Sequence, residues 1–141
     1  MGKYSQATKL YRKALTINIK YLGADHPTVS LGYLNLANVL SDKGNFKKAK
    51  SLAKKGLNIN IKNFGNNHPR VASSRSTLGN ILNHLGEASQ AIELLTMALE
   101  SNIQNFGEHS FIVAQDLSNL ADLLRKNGKP DEAAELYAKS L

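Results

Sequence analysis

His26-Pro27-Thr28-Val29-Ser30-Leu31-Gly32-Tyr33-Leu34-Asn35-Leu36-Ala37-Asn38-Val39-Leu40, closed by Gly44-Asn45-Phe46-Lys47-Lys48-Ala49, is the stretch that decides the fold. Its landmarks return at a fixed step of 42 residues. Gly23, Gly65 and Gly107 keep the step, as do Gly2, Gly44, Gly86 and Gly128. Ala7, Ala49, Ala91 and Ala133 follow it, and so do Leu10, Leu52, Leu94 and Leu136. Val29, Val71 and Val113, then Leu36, Leu78 and Leu120, then Leu40, Leu82 and Leu124 complete the set. This many columns at one period mean a tandem array, and every other reading has to respect it.

Inside each unit the apolar spacing is helical. Val29, Tyr33, Leu36, Ala37 and Leu40 stand at i, i+4, i+7, i+8 and i+11, one stripe of a 3.6-residue helix. Phe46, Ala49, Leu52, Ala53, Gly56 and Leu57 draw a second stripe beyond Gly44. Asp25-His26-Pro27 reads as a helix start, with proline where its missing N–H costs nothing. Gly44, Gly86 and Gly128 read as stops that need a left-handed residue. The spacing predicts helices over 4–21, 27–42, 46–63, 69–85, 88–105, 111–127 and 130–141, with no β-rich segment competing.

Small residues let helix axes approach: Ala37, Gly79 and Ala121 in the first helix of each pair, Ala49, Ala91 and Ala133 in the second. A helix pair cannot bury its own stripe, so neighbours must stack. The expected fold is all-α, a right-handed α-solenoid of antiparallel helix pairs, with about three and a half repeats and seven helices. Residues 2–22 would be the second helix of a truncated repeat, followed by repeats at 23–64 and 65–106 and by 107–141 with a shortened last helix. Both ends look cut, as if from a longer array, and their apolar faces would let copies self-associate.

The pattern Gly-x-x-His-Pro-x-Val, Asn-Leu-Ala-x-x-Leu, Gly-x-Phe-x-x-Ala resembles the tetratricopeptide repeat, in the 42-residue variety of kinesin light chains. Gly23, His26, Pro27, Val29, Asn35, Leu36, Ala37, Leu40, Gly44, Phe46 and Ala49 carry it, and it covers nearly the whole chain. Departures are Ser110-Phe111 for His-Pro, Arg75 for an apolar stripe residue, and Ala88 and Pro130 for the aromatic.

Composition narrows the chemistry. The 141 residues are 42% hydrophobic and 6% aromatic, with no Cys or Trp. That content can form a core, and the lack of thiols excludes disulfides and thiolate metal sites. There is no 18-residue apolar run and no leader-like start, so a soluble, cytoplasmic protein without a membrane span is expected. The net charge of +7 is unevenly spread: residues 1–70 hold 13 basic and 2 acidic side chains, residues 71–141 hold 5 and 9. That asymmetry could steer acidic partners or favour head-to-tail contacts.

No enzyme, cofactor or metal is expected. His26, His68 and His109 recur about one repeat apart, on the order of 10 Å by helix-packing distances, too far to share an ion, and read as helix-start residues. His84 reads as a solvated groove residue. No phosphate loop, nucleophile elbow or carboxylate on an apolar stripe is visible.

The face of the first helices opposite the leucine stripe is the expected binding site. In successive units it carries Leu31, Leu34, Asn35 and Asn38; then Ser73, Ser76, Asn80, Asn83 and His84; then Gln115, Ser118, Asn119, Asp122 and Arg125. The family resemblance implies that this face lines a concave groove holding a peptide. Amides suit that task because they both donate and accept, and Leu31 with Leu34 would either add an apolar anchor or pack against a preceding helix. The resemblance also implies that a carboxylate-gripping groove needs paired cations where Gln115 and Asn119 stand, so such an activity is disfavoured. Lys47, Lys48, Lys50, Lys54 and Lys55 form a basic patch whose default reading is a solvated face. The function expected is a non-catalytic protein–protein interaction scaffold with a protein or peptide partner. Nucleic-acid or acidic-surface binding through helix 46–62, or a spacer or oligomerisation role in a larger signalling protein, are the alternatives; nucleic acid is disfavoured and no membrane is implicated.

Overall fold

Pro27 and Pro69 have no N–H to donate, and the structure places each at the start of a helix, where none is required. This is a computed structural model that describes residues 2–140; the ends of the expected range, Met1 and Leu141, lie outside the described residues. Seven helices and no strand occur among the described residues. They are α1 (Gly2–Leu22), α2 (Pro27–Asp42), α3 (Phe46–Phe64), α4 (Pro69–His84), α5 (Ala88–Phe106), α6 (Phe111–Lys126) and α7 (Pro130–Ser140).

The starts are set by one column of the repeat. His26 accepts a hydrogen bond at Nδ1 from the Thr28 N–H at 3.1 Å, and His68 does the same for Arg70 at 3.1 Å. In the third unit Ser110 takes over: its Oγ accepts from the Val113 N–H at 3.3 Å. Each bond satisfies one of the donors that a helix start leaves without an intrahelical partner. The ends are equally regular. Gly44 adopts φ +88°, which allows its N–H to reach the Ser41 carbonyl and the Asn45 N–H to reach that of Leu40 at 2.8 Å. Glu87 to Leu82 and Lys129 to Leu124 repeat the second bond at 2.9 Å each. This is the Schellman closure, and a side chain on the left-handed residue would strain it.

The chain divides into two compact units, one up to Asn66 and one from Asn67 onward. In the first, α2 packs against α1 and α3; in the second, α5 packs against α4 and α6, and α6 against α7. The leucine stripes are the core: Val29, Leu36 and Leu40 are buried in the first unit, and Val71, Leu78, Leu82, Val113, Leu120 and Leu124 in the second. Each large apolar side chain so buried contributes about 1.5–3 kcal/mol. The expected small-residue seam is present. Ala37, Ala49, Ala91 and Ala121 are fully buried, and a Cβ on Gly79 would lie 3.1 Å from Leu95 Cγ. Arg75, on the stripe of α4, is buried too, and desolvation pushes its guanidinium pKa down.

One strap recurs at the repeat spacing. Asn63 Nδ2 donates to the Ile59 carbonyl and to the Asp25 carbonyl at 2.7 Å. Its counterpart Asn105 donates to the Ser101 carbonyl and to that of Asn67 at 2.6 Å. The end of each second helix is thereby tied to the loop that launches the first. Lys62 adds an ion pair to Asp25 at 2.5 Å.

Candidate functional site

Burial of the leucine stripe turns the other side of α2, α4 and α6 outward, because both faces belong to the same helix. On α2, Leu31 is 58% exposed and Asn38 is exposed, while Asn35 is half-buried. Leu34 differs from the sequence expectation of an exposed leucine pair. It is half-buried, and its Cγ would sit 2.8 Å from a Cβ on Gly56, so it packs against α3. Gly56 exposes backbone that Leu34 covers, and the Gly56 carbonyl accepts from Ser30 Oγ at 2.7 Å beside it.

In the second unit Ser73, Asn80 and His84 are exposed on α4, with Ser76 and Asn83 half-buried. On α6, Gln115, Asn119, Asp122 and Arg125 are exposed and Ser118 is half-buried. The far end of that face is engaged with α7. Asp122 accepts from the Tyr137 hydroxyl and lies 3.8 Å from Arg125. The bond to Asp122 raises the Tyr137 pKa, since ionising the phenol would lose the donated proton.

Between α4, the end of α5 and the start of α6 lies a cavity of about 310 Å³, lined by Pro69, Ser73, Ser76, Asn102, Phe106, Ile112 and Asp116. Two of these, Ser73 and Ser76, are groove residues expected from the sequence. Asn102 and Asp116 are not. Asn102 is buried, and its Nδ2 donates to Asp116 Oδ2 at 2.6 Å. Burial raises the Asp116 pKa, and the hydrogen bond from Asn102 acts in the other direction. The expectation that no carboxylate sits where burial would raise its pKa is therefore corrected. Asp116 lies one residue before the buried Leu117, so its Cβ is carried to the edge of the stripe rather than into bulk water. The signal for it was present in the repeat columns. One and two periods before Asp116 stand Ser74 and Gly32, neither of them ionisable, whereas Asn102 has Asn60 and Asn18 in its column.

A second cavity of about 370 Å³, between α5, α6 and α7, is walled by Leu99, Ile103, Val113, Leu117 and Leu136, with Glu108, His109 and Lys139 at its edge. It contains none of the expected groove residues. His109 is exposed and leaves the helix start to Ser110. No group of three His, Cys, Asp or Glu close enough to hold a metal occurs among the described residues, and no described helix is long and apolar enough to cross a membrane.

The basic patch lies on α3. Lys47, Lys48, Lys54 and Lys55 are exposed and Lys50 is half-buried. The Lys55 ammonium sits 5.6 Å from the centroid of the Tyr33 ring, which fixes one end of the patch against α2. Phe46 and Phe64 are half-buried on their repeat columns.

A family model described as tetratricopeptide repeat matches residues 1–62, 28–102 and 70–141. No curated protein matches the chain. Among solved structures, the nearly identical TPR-like repeats of a Podosopora anserina protein assigned as a kinesin light chain superpose with a TM-score of 0.90 at 23% identity, over 99% of this chain and 66% of that one. BtubC (BKLC) from P. vanneervenii gives 0.89 at 26% identity, over 99% of this chain and 55% of that one. MamA gives 0.71 at 22% identity, over 99% and 67%. The chain thus spans less than two thirds of the length of the first two. The similarity shows an all-helical, TPR-like solenoid fold.

Proposed function

The chain belongs to the tetratricopeptide repeat family, with repeats of kinesin-light-chain-like type, and from that premise we propose that it is a non-catalytic interaction scaffold taking up an extended peptide or partner helix on the polar faces of α4 and α6. One observation carries this reading. On α4 and α6 the leucine stripe is buried while Ser73, Asn80, Gln115 and Asn119 are exposed on the same two helices. These side chains both donate and accept, so they can pair with either polar group of a peptide backbone without fixing its side chains. Frame residues supply the rigidity and outward-facing residues supply the choice of guest.

The test is a peptide selected on the full chain from a random display library, then titrated calorimetrically against N80A and N119A. A neutral hydrogen bond lost from the complex lowers affinity about three- to tenfold, and unfolding temperature should not move because both side chains are exposed. Unchanged affinity in both variants would refute the assignment. A second reading rests on Lys47, Lys48, Lys54 and Lys55, four exposed cations on α3, and makes this helix a contact for acidic protein surface or nucleic acid.

A further inference from the structure

We propose that the cavity beside Asp116 is a receptor for an arginine side chain presented by the partner polypeptide. The inference rests on the scaffold reading above and names the chemistry of one of its subsites.

Three features converge. The cavity holds about 310 Å³, at the lower end of ligand-site volumes, a space suited to one long side chain rather than to a drug-sized molecule. Its polar end is the Asp116 carboxylate, whose Oδ2 accepts from Asn102. No Lys, Arg or His lines the cavity, so the chain offers this carboxylate no cation of its own there. Its sides are apolar: Phe106 is 45% exposed and Ile112 40% exposed, both large side chains that a folded chain ordinarily covers. Ser73 and Ser76 add hydroxyls on the α4 wall.

An arginine fits this arrangement at every point. The methylene stem lies along Phe106 and Ile112, the guanidinium plane meets the aromatic ring, and its fork donates to the carboxylate. A carboxylate half-withdrawn from water loses hydration that a cation with donor groups returns most fully. A guest without a donor would bury the charge without compensation. The surrounding half of the chain reinforces the sign, since residues 71–141 carry 9 acidic and 5 basic side chains. The repeat frame does not need the charge. Ser74 and Gly32, neither of them charged, occupy the Asp116 column in the earlier units, and Ser74 Oγ donates to the Arg70 carbonyl within its own helix at 2.8 Å. Asn102, by contrast, keeps its column identity, so the carboxylate has been added to an existing amide.

The experiment is a titration of the isotopically labelled full chain with N-acetyl-arginine amide, followed through backbone amide resonances. Saturable shifts at Asn102, Phe106 and Asp116 are expected at millimolar concentration, with N-acetyl-citrulline amide, the uncharged isostere, at least about tenfold weaker. D116N should lose the arginine response by a similar factor, and its unfolding temperature reports that it remains folded. Equal binding of citrulline, an undiminished response in D116N, or no saturable shift with the wild-type chain each overturns the proposal. Should D116N leave binding of the display-selected peptide intact while N80A weakens it, the arginine subsite fails and the scaffold reading stands.

Discussion

Replacing Gly56 by alanine tests the packing that removed Leu34 from the exposed face. In an open helix interior this change stabilises by about 1 kcal/mol, because alanine restricts the unfolded backbone. At Gly56 the new methyl would lie 2.8 Å from Leu34 Cγ, 3.0 Å from Leu34 Cδ2 and 3.2 Å from the Ser30 carbonyl oxygen. The carbonyl is backbone and Cγ is not the free end of its side chain, so neither yields without moving α2 against α3. Overpacking of this kind costs about 1–3 kcal/mol, leaving G56A destabilised by up to about 2 kcal/mol after the propensity gain is subtracted. The second unit contains the natural control, with Ala98 in the Gly56 column and Ser76 in the Leu34 column. The double variant L34S/G56A should therefore be more stable than the sum of its singles by about 1 kcal/mol or more. Urea unfolding of all four proteins, followed by circular dichroism, closes the cycle. A G56A variant that gains the full propensity increment, or a cycle with no coupling, would show that Leu34 does not cover Gly56 and would return it to the exposed face.

Three further outcomes follow from single contacts. S110A removes the side-chain cap at the start of α6 and should lower stability by about 1 kcal/mol, read as a urea midpoint shift, whereas S110D should keep it. The raised pKa of Asp116 means that the folded state holds its proton more tightly than the unfolded chain, so the site favours folding below the ordinary carboxylate range and loses that advantage as pH rises through the folded value. D116N should accordingly be the more stable protein at neutral pH, with the difference shrinking as pH falls towards about 4, and a gap that widens on acidification would contradict the burial argument. If α3 contacts nucleic acid, affinity for a single-stranded oligonucleotide should fall with salt at a slope of several charges and flatten in K47A/K48A/K54A/K55A; a shallow slope unaffected by the four substitutions removes that reading.

The frame was legible in the chain because it is periodic. Helix starts at Pro27 and Pro69, stops at Gly44, Gly86 and Gly128, and the buried stripes of leucine are each set by local rules that recur, so one misread position is corrected by its copies. What stayed hidden depends on a neighbour that periodicity within one helix does not reveal. Leu34 looks solvent-facing on a helical wheel, and only the missing side chain of Gly56 on the facing helix gives it a place to pack. Asp116 looks like a surface carboxylate until Asn102 and the end of α5 are laid beside it. Ser110 reads as a lapse from His-Pro, yet a hydroxyl accepts the same class of backbone bond as an imidazole nitrogen.

Departures from a repeat column therefore divide into two physical kinds. Some come with a matching departure on the helix they face: Leu34 occupies the space that the missing side chain of Gly56 leaves. Such a pair keeps the frame and calls for no ligand. Ser110 keeps the frame as well, since it caps its helix start as His26 and His68 cap theirs, through the next backbone donor along. Asp116 is of the other kind. It replaces Ser74 and Gly32 by a charge, meets an asparagine that the facing column already contained, and has no Lys, Arg or His among the residues lining its cavity. A group that the frame does not use and that burial disfavours in its charged form costs stability, and under the proposed scaffold role that free energy would be recovered in the complex with a positively charged guest.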